Sequence, residues 1–363
     1  MPFRPEPDYS HGAAPRTAVL LVNLGSPDEP TARATRTYLA QFLDDPRVVE
    51  IPRWVWRLVL YGIILNTRPA KSAAKYATIW TPEGSPLVSG TRRLAARMQQ
   101  AFESEGQSVL VRSAMRYGNP SIESTLDALR SEGATRVLVL PLYPQYAAAT
   151  TASVWDAVAQ WSAQARQLPE FRFVNRYHDE AAYVQALADS VRAHWDKRGS
   201  RRRLVMSFHG LPQRSLNLGD PYHCECHKTA RLVAQALGLS KDDYLVTFQS
   251  RFGKAQWLRP YTEPTLKDLA ASGVREVDVL CPGFPVDCLE TLEEIAQEAH
   301  EAFIDAGGQA FDYIPCLNDS DGGLAAVMGV ARRHLSGWPV PGPGVTAEGQ
   351  AQREAALAMG AQR

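Results

Sequence analysis

The 363-residue chain lacks an excess of charge of either sign, because 39 Lys and Arg residues balance 39 Asp and Glu residues. It therefore has no one-sided basic field of the kind that general nucleic-acid binders use, and no nucleic-acid partner is expected. Cysteine is scarce as well, and five residues, an odd number, predict no disulfide framework. Hydrophobic residues nevertheless make up 45% of the chain, which is enough to bury a large core.

Long hydrophobic runs are also missing. The most apolar segment, residues 54–65, has about half of the roughly 20 residues that a membrane-spanning helix needs. It is either a buried or pocket-lining helix, or an apolar lip with Trp54, Trp56 and Tyr61 that contacts a hydrophobic substrate or a membrane surface. The polar residues 1–16 contain no apolar signal core and predict a loose arm. We expect a cytoplasmic protein, and peripheral membrane contact stays open.

The two halves of the sequence share one pattern. Residues 18–24 and residues 203–209 are apolar runs, each followed by Gly-x-Pro, which is typical of a buried strand entering a turn. An Arg-aromatic-Gly motif, a helical pattern and a Val/Leu-rich run ending in proline follow in the same order in both halves. The paired segments are residues 113–118 with 248–253, and residues 133–141 with 273–282.

This repeat predicts an α/β fold of two similar, doubly wound parallel-sheet lobes with a cleft between them, because continuous apolar strands are typical of parallel sheets covered on both faces. The expected lobes span residues 17–175 and 176–335, and residues 336–363 are expected to form a flexible tail. Ligands of such sheets bind beyond the carboxyl ends of the strands. The residues that follow strands are therefore the first candidates for chemistry.

His209 lies at the end of an apolar run and is followed by Gly210 and Pro212. An imidazole in this place can act as a base or as a metal ligand near neutral pH. A structural histidine that only forms hydrogen bonds fits the same pattern.

A second candidate is a series of carboxylates. Glu290, Glu294 and Glu298 are spaced by four residues, and Asp287 lies three residues before the first of them. On an α-helix these side chains form a row along one face. The row is either a solvated acidic face or a set of oxygen ligands that carries divalent cations or protons.

Arginines and aromatic residues suited to a flat, anionic ligand lie near predicted strand ends or near the apolar segment. Arginine pairs with carboxylates, and aromatic faces pack on planar rings. Each of these residues also fits the role of a core aromatic or a solvated arginine. The set comprises Arg68, Tyr76, Arg116, Tyr117, Tyr146 and Trp257.

The run His223-Cys-Glu-Cys-His227 contains several metal-ligand side chains. Its two cysteines are separated by one residue, however, and no second cysteine pair follows at zinc-finger spacing. Whether Cys224 and Cys226 bind a metal is left open. No phosphate-binding glycine loop follows the first predicted strand, so neither a nucleotide nor another organic cofactor is expected.

Six motifs between residues 17 and 335 together resemble the ferrochelatases, the lyases that insert ferrous iron into a porphyrin. They occur in the family's order: Leu21-Val-Asn-Leu-Gly-Ser-Pro27, Arg116-Tyr117, Tyr143-Pro-Gln-Tyr146, Ser207-Phe-His-Gly-Leu-Pro212, Gly219-Asp-Pro-Tyr222 and Asp287-Cys-Leu-Glu-Thr-Leu292. The resemblance implies a chelatase-like fold and the conversion of protoporphyrin IX to protohaem, the terminal step of haem biosynthesis. Fe²⁺ and porphyrin are then the substrates.

The same resemblance implies roles for individual residues. His209 and Glu290 become the catalytic and metal-binding pair, and Asp287, Glu294 and Glu298 become the acidic relay. The implied porphyrin contacts are Asn23, Leu24, Arg116, Tyr117, Tyr146 and Phe284, with Arg68 and Tyr76 near the propionates or the lip. Trp257 from the aromatic set above completes the expected porphyrin site.

Alternatives to this function remain. They are a coproporphyrin ferrochelatase, a chelatase of similar fold that loads cobalt or nickel into a tetrapyrrole, and a non-catalytic haem-binding protein. The apolar lip favours protoporphyrin, because coproporphyrin carries two more carboxylates. Mitochondrial relatives hold a [2Fe–2S] cluster with additional C-terminal cysteines, and this chain has none after Cys316, so no such cluster is expected. The oligomeric state is not predicted.

Overall fold

The computed structural model describes residues 3–8, 11–340 and 347–362. The first lobe contains a four-stranded parallel sheet in the order β2-β1-β3-β4. Its strands are β1 (Arg16–Asn23), β2 (Val109–Met115), β3 (Ala134–Pro141) and β4 (Glu170–Phe173). The helices of this lobe are α1 (Ala32–Leu43), α2 (Arg53–Val59), α3 (Leu65–Thr67), α4 (Pro69–Ile79), α5 (Pro86–Ser104), α6 (Ile122–Ser131) and α7 (Ser153–Ser162), with π-helical segments at Leu60–Ile64 and Ala148–Ala152.

The second lobe repeats this arrangement with a parallel sheet in the order β6-β5-β7-β8. Its strands are β5 (Arg203–His209), β6 (Tyr244–Gln249), β7 (Glu276–Leu280) and β8 (Ala310–Ile314). The helices are α8 (Ala181–Arg198), α9 (Gln213–Asn217), α10 (Tyr222–Leu237), α11 (Thr262–Ala271), α12 (His300–Asp305) and α13 (Asp321–Leu335), with a π-helix at Glu290–Ala299. A last helix, α14 (Ala347–Ala358), follows the two lobes in the chain. The prediction of two similar parallel-sheet lobes is confirmed.

The parallel pairing of the strands places their carboxyl ends at one edge of the sheet in each lobe. Asn23, the last residue of β1, pairs with Met115 of β2, and His209, the last residue of β5, pairs with Gln249 of β6. The central strands are buried throughout, and residues 18–22 of β1 have no exposed surface. This burial on both faces explains why their sequence is apolar without alternation.

One hydrophobic core runs through both lobes. It joins Leu140 of the first sheet to Met206 and Leu280 of the second, together with Leu187 of α8 and Val327 of α13. The C-terminal part of the chain also returns to the first lobe, since α13 packs against α5 and β3.

The apolar segment is buried on one side and exposed on the other. Leu60 and Leu65 are buried in a small separate cluster with Leu43 and Val49. In contrast, Trp54 is 75% exposed, and Leu58 and Ile63 on the same segment are also exposed. In the described part of the chain, no helix is long and apolar enough to cross a membrane.

Parts of both chain ends have defined contacts or secondary structure. Within the predicted loose arm, Arg4 pairs with Asp127 at 2.7 Å, and Glu6 pairs with Arg130. Within the predicted flexible tail, residues 347–358 form α14. The parts of these predictions that concern residues 1–2, 9–10, 341–346 and 363 lie outside the described residues.

Candidate active site

A cleft lies at the carboxyl ends of both sheets. Asn23 and Leu24 enter it from β1, and His209 enters it from β5. The segment between β7 and the π-helix supplies a third side, from Gly283 to Glu290. This is the place where parallel sheets bind ligands, since loops from both lobes meet there.

His209 is held by a hydrogen bond between its Nδ1 atom and the carbonyl oxygen of Gly210, at 2.6 Å. A carbonyl only accepts hydrogen bonds, so Nδ1 carries a proton in this bond, and in the neutral form of the ring the lone pair is on Nε2. Gly210 is required for close packing, because a Cβ atom there would lie 2.6 Å from the carbonyl oxygen of Gln249. The half-buried imidazole is thus oriented by its own turn.

Glu290 begins the helix that carries the acidic residues, and its side chain lines the cleft. Gln249 fixes this start by donating from Nε2 to the carbonyl oxygen of Glu290 at 2.7 Å. The helix is a π-helix, which corrects the α-helical row expected from the four-residue spacing. Such wide i→i+5 turns are rare and occur often at functional sites.

Glu294 is the member of the acidic row next to His209. Its carboxylate accepts hydrogen bonds from the backbone N–H of Ser250 at 2.6 Å and from the hydroxyl of the same residue. Burial raises the pKa of Glu294, although the hydrogen bonds from Ser250 and the nearby His209 oppose this shift. A carboxyl group with a raised pKa beside an imidazole is suited to accept and release protons.

Glu298 lies farther out, in a second pocket that Glu294 also lines. Lys75 of α4 pairs with Glu298 at 2.6 Å and with the buried Glu293 at 2.9 Å. The row is therefore partly neutralised by a lysine distant in sequence, which local spacing could not indicate.

Asp287 does not extend this row, in contrast to its predicted place in the relay. Its carboxylate is buried and accepts hydrogen bonds from Tyr313 at 2.5 Å, Asn318 at 2.7 Å and Thr291 at 3.1 Å. These partners come from β8, the following loop and the π-helix. Asp287 thus fixes the loop that leads to Glu290.

The predicted porphyrin contacts divide into two groups, of which the first lies at the cleft. Trp257 and Phe284 line it together with Asn23 and Leu24. Tyr76 is buried in a small adjoining pocket that Glu290 also lines, and burial raises its pKa. Arg68 is exposed, and its guanidinium lies 6.0 Å from the ring centre of Phe252, a cleft residue.

The second group is not among the cleft-lining residues. Arg116 pairs with the buried carboxylate of Asp45 at 2.6 Å, and the Tyr117 hydroxyl donates to the same carboxylate at 2.8 Å. The guanidinium of Arg176 lies 5.4 Å from the ring centre of Tyr146. Arg116 and Tyr117 thereby hold the segment around Asp45, which lies between the cleft residues Phe42 of α1 and Val48 of the following loop.

The cleft also contains residues that the predicted set omitted. Tyr143 follows β3 and lines the cleft, as the strand-end rule predicts, although the predicted porphyrin contacts named Tyr146 of the same motif. Its hydroxyl is buried, with no hydrogen-bond partner within residues 3–8, 11–340 and 347–362. Phe42 and Val48 come from the end of α1 and the loop after it, where no sequence signal marks them.

Two like-ordered parallel sheets with a ligand cleft between them define the chelatase class of α/β proteins. The solved structure of SirB from Bacillus subtilis with Fe3+ shares this fold, with a TM-score of 0.52 and 12% sequence identity over 90% of this chain and 100% of that chain. Sequence comparison goes further than the fold.

The sequence profile of the ferrochelatase family matches residues 16–335. The chain is 60% identical to the ferrochelatase of Polaromonas sp. (strain JS666 / ATCC BAA-500), over 100% of both chains, and 60% identical to that of Methylibium petroleiphilum over the same share. The chain belongs to the ferrochelatase family. The resemblance, the metal-inserting lyase class and the role in haem biosynthesis that the motifs implied are thereby confirmed.

Proposed function

We propose that the protein inserts Fe²⁺ into protoporphyrin IX bound in the cleft between its two lobes. The observation that carries this proposal is the composition of the cleft wall. Among the described residues that line it, only His209 and Glu290 are histidine, acidic or basic, and the rest are mainly apolar or aromatic. A flat hydrophobic ring fits such a wall, and the two polar groups are the ones that metallation needs.

The charge distribution favours protoporphyrin over coproporphyrin. Two propionates need few cationic partners, whereas four carboxylates need more. Arg68 lies at the cleft beside Phe252, while the charge of Arg116 is already compensated by Asp45. We place the propionates towards Arg68, where solvent also helps to hydrate them.

Metallation removes two pyrrole protons as Fe²⁺ enters the ring. In the proposed mechanism, Nε2 of His209 accepts the first pyrrole proton, because Nδ1 is already committed to Gly210, and accepts the second after it has passed the first to Glu294. Glu294, desolvated and close to His209, passes protons towards Glu298 and solvent. Glu290 binds the incoming Fe²⁺, since no Lys or Arg forms an ion pair with its carboxylate in the described part of the chain.

The experiment mixes protein, Fe²⁺ and protoporphyrin IX without oxygen and follows haem absorbance. We expect rapid haem formation by the wild type and a loss of at least 100-fold in kcat for Glu290→Gln, in the range typical of lost acid–base or charge interactions. Glu301→Gln changes an exposed glutamate on the adjoining α12 and is the matched control. Wild-type protein that metallates coproporphyrin faster than protoporphyrin would contradict the choice of substrate.

We also propose that the exposed apolar residues of segment 54–65 contact a lipid surface. Trp54, Leu58 and Ile63 project from the small cluster that holds the lip in place. An apolar substrate reaches such a site most directly from a membrane, and large exposed apolar side chains are otherwise costly in water.

A further inference from the structure

The first turns of α10 carry two histidines that the mechanism does not use. His223 and His227 are four residues apart and therefore share one face of the helix. Their ring centres are 4.5 Å apart, and both rings pack near the buried ring of Phe248, at 5.5 and 6.1 Å. Neither residue lines the cleft.

The nitrogens of both rings are available. Within residues 3–8, 11–340 and 347–362, neither His223 nor His227 forms a side-chain hydrogen bond or an ion pair. Burial lowers the pKa of His223, and burial together with the neighbouring ring lowers the pKa of His227. Both rings are thus neutral near pH 7, and each retains a lone pair on one nitrogen.

Paired neutral imidazoles are ligands for transition metals. A pair of histidines at positions i and i+4 shares one helix face and can hold one ion between them, since imidazole nitrogen binds such ions at about 2.0–2.1 Å. His223 is half-buried and His227 is exposed, so an ion from solvent can reach the pair. Cys226 is buried, whereas Cys224 is exposed on the same turn.

We propose that His223 and His227 form a binding site for one divalent first-row transition-metal ion outside the substrate cleft, with water completing the coordination. The inference is independent of the function proposed above. A bound ion would fix the first turns of α10, which begin with the cleft residue Tyr222. Those turns also hold Glu225, which accepts a hydrogen bond from the backbone N–H of Tyr146 in the other lobe at 2.7 Å.

The test uses the full chain with His209→Ala and Cys224→Ser, so that the substrate site and the exposed thiol do not contribute. Equilibrium dialysis against Zn²⁺ at pH 7.5 should give one ion per chain. Adding His223→Gln or His227→Gln should weaken this binding at least tenfold, because the chelate is lost. His300→Gln is the matched control, since His300 is half-buried and stacks on Phe311 but has no histidine four residues away.

Unchanged Zn²⁺ affinity in either glutamine variant, or an equal loss in the control, would overturn the proposal. A second measurement counts the ligands directly. Pulsed electron paramagnetic resonance of the background protein with one equivalent of Cu²⁺ counts the coordinated imidazoles. Two imidazoles are expected, and the count should fall on adding His227→Gln, whereas one or none in the background protein contradicts the site.

Discussion

Asp45 offers the sharpest test of how the cleft wall is built. It is buried, and its carboxylate accepts hydrogen bonds from Arg116, Tyr117 and Ser153 at 2.6–2.8 Å. Asp45→Asn removes the charge while keeping the shape, so it leaves the Arg116 guanidinium without its counter-ion. Breaking a buried ion pair from one side costs about 3–5 kcal/mol. Since the Arg116 side chain keeps 20% of its surface exposed, we expect Asp45→Asn to lower the free energy of unfolding by about 3 kcal/mol, the lower end of this range.

The neighbouring residue provides the matched control. Asp44 pairs with Arg53 at 2.6 Å and with Arg57 at 3.1 Å, but these groups are more exposed than the Asp45 cluster. Surface pairs contribute about 1 kcal/mol or less, so Asp44→Asn should cost at most that amount. Urea unfolding with linear extrapolation measures the free energy of unfolding for both variants. If Asp45→Asn is no more destabilised than Asp44→Asn, the reasoning is refuted.

The loss of stability in Asp45→Asn should also depend on pH, in a direction set by the pKa of Asp45. Burial alone would raise the pKa of Asp45, but hydrogen bonds from Ser153, the Arg47 backbone and Tyr117, together with the Arg116 charge, outweigh it and lower the pKa. A carboxyl group whose pKa is lowered by folding stabilises the folded state above its unfolded pKa of about 3.9. The difference in the free energy of unfolding between wild type and Asp45→Asn should therefore be at its maximum at pH 7 and decrease as the pH falls below about 4.

Three further predictions concern the proton path, the histidine turn and the lip. Glu294→Gln should lower kcat for haem formation at least tenfold with little change in the KM for porphyrin, because Glu294 does not line the cleft; a change confined to KM would contradict the relay. Gly210→Ala should destabilise the fold by about 1–3 kcal/mol in thermal unfolding, because its Cβ would lie 2.6 Å from a carbonyl oxygen. Gly329→Ala on α13, whose nearest contact is 4.0 Å away, should be neutral or stabilising, and equal losses in both would refute the steric argument. Leu58→Glu should weaken co-sedimentation of the protein with phosphatidylcholine vesicles. Leu168→Glu should not, because Leu168 is an exposed leucine just before β4, at the opposite edge of the sheet. Equal effects of the two substitutions would count against a lipid-facing lip.

Features encoded in local sequence were predictable. Apolar runs ending at Gly-x-Pro located β1 and β5, and the repeated order of motifs indicated two sheets of like topology. The strand-end rule located His209 at the cleft for the same reason, since a strand in a parallel sheet has only one edge at which its following loop can meet a ligand.

Features that depend on contacts distant in sequence could not be predicted. Arg116 was predicted to contact the porphyrin, but its guanidinium pairs with Asp45, 71 residues earlier. The four-residue acidic spacing suggested an α-helix, yet Gln249 of β6 fixes the start of a π-helix at Glu290. Side-chain spacing fixes which residues share a face only once the helix type is known.

The single core that runs through both lobes has a consequence for motion and for unfolding. Since α13 packs on the first lobe and Leu140, Met206 and Leu280 share one apolar cluster, separating the sheets would expose that cluster to water. We therefore expect one cooperative thermal transition for the two lobes, despite their duplicated topology. The cleft is then expected to keep a fixed width, whereas the lip around Leu60 packs in a separate cluster and can move locally without exposing the shared core.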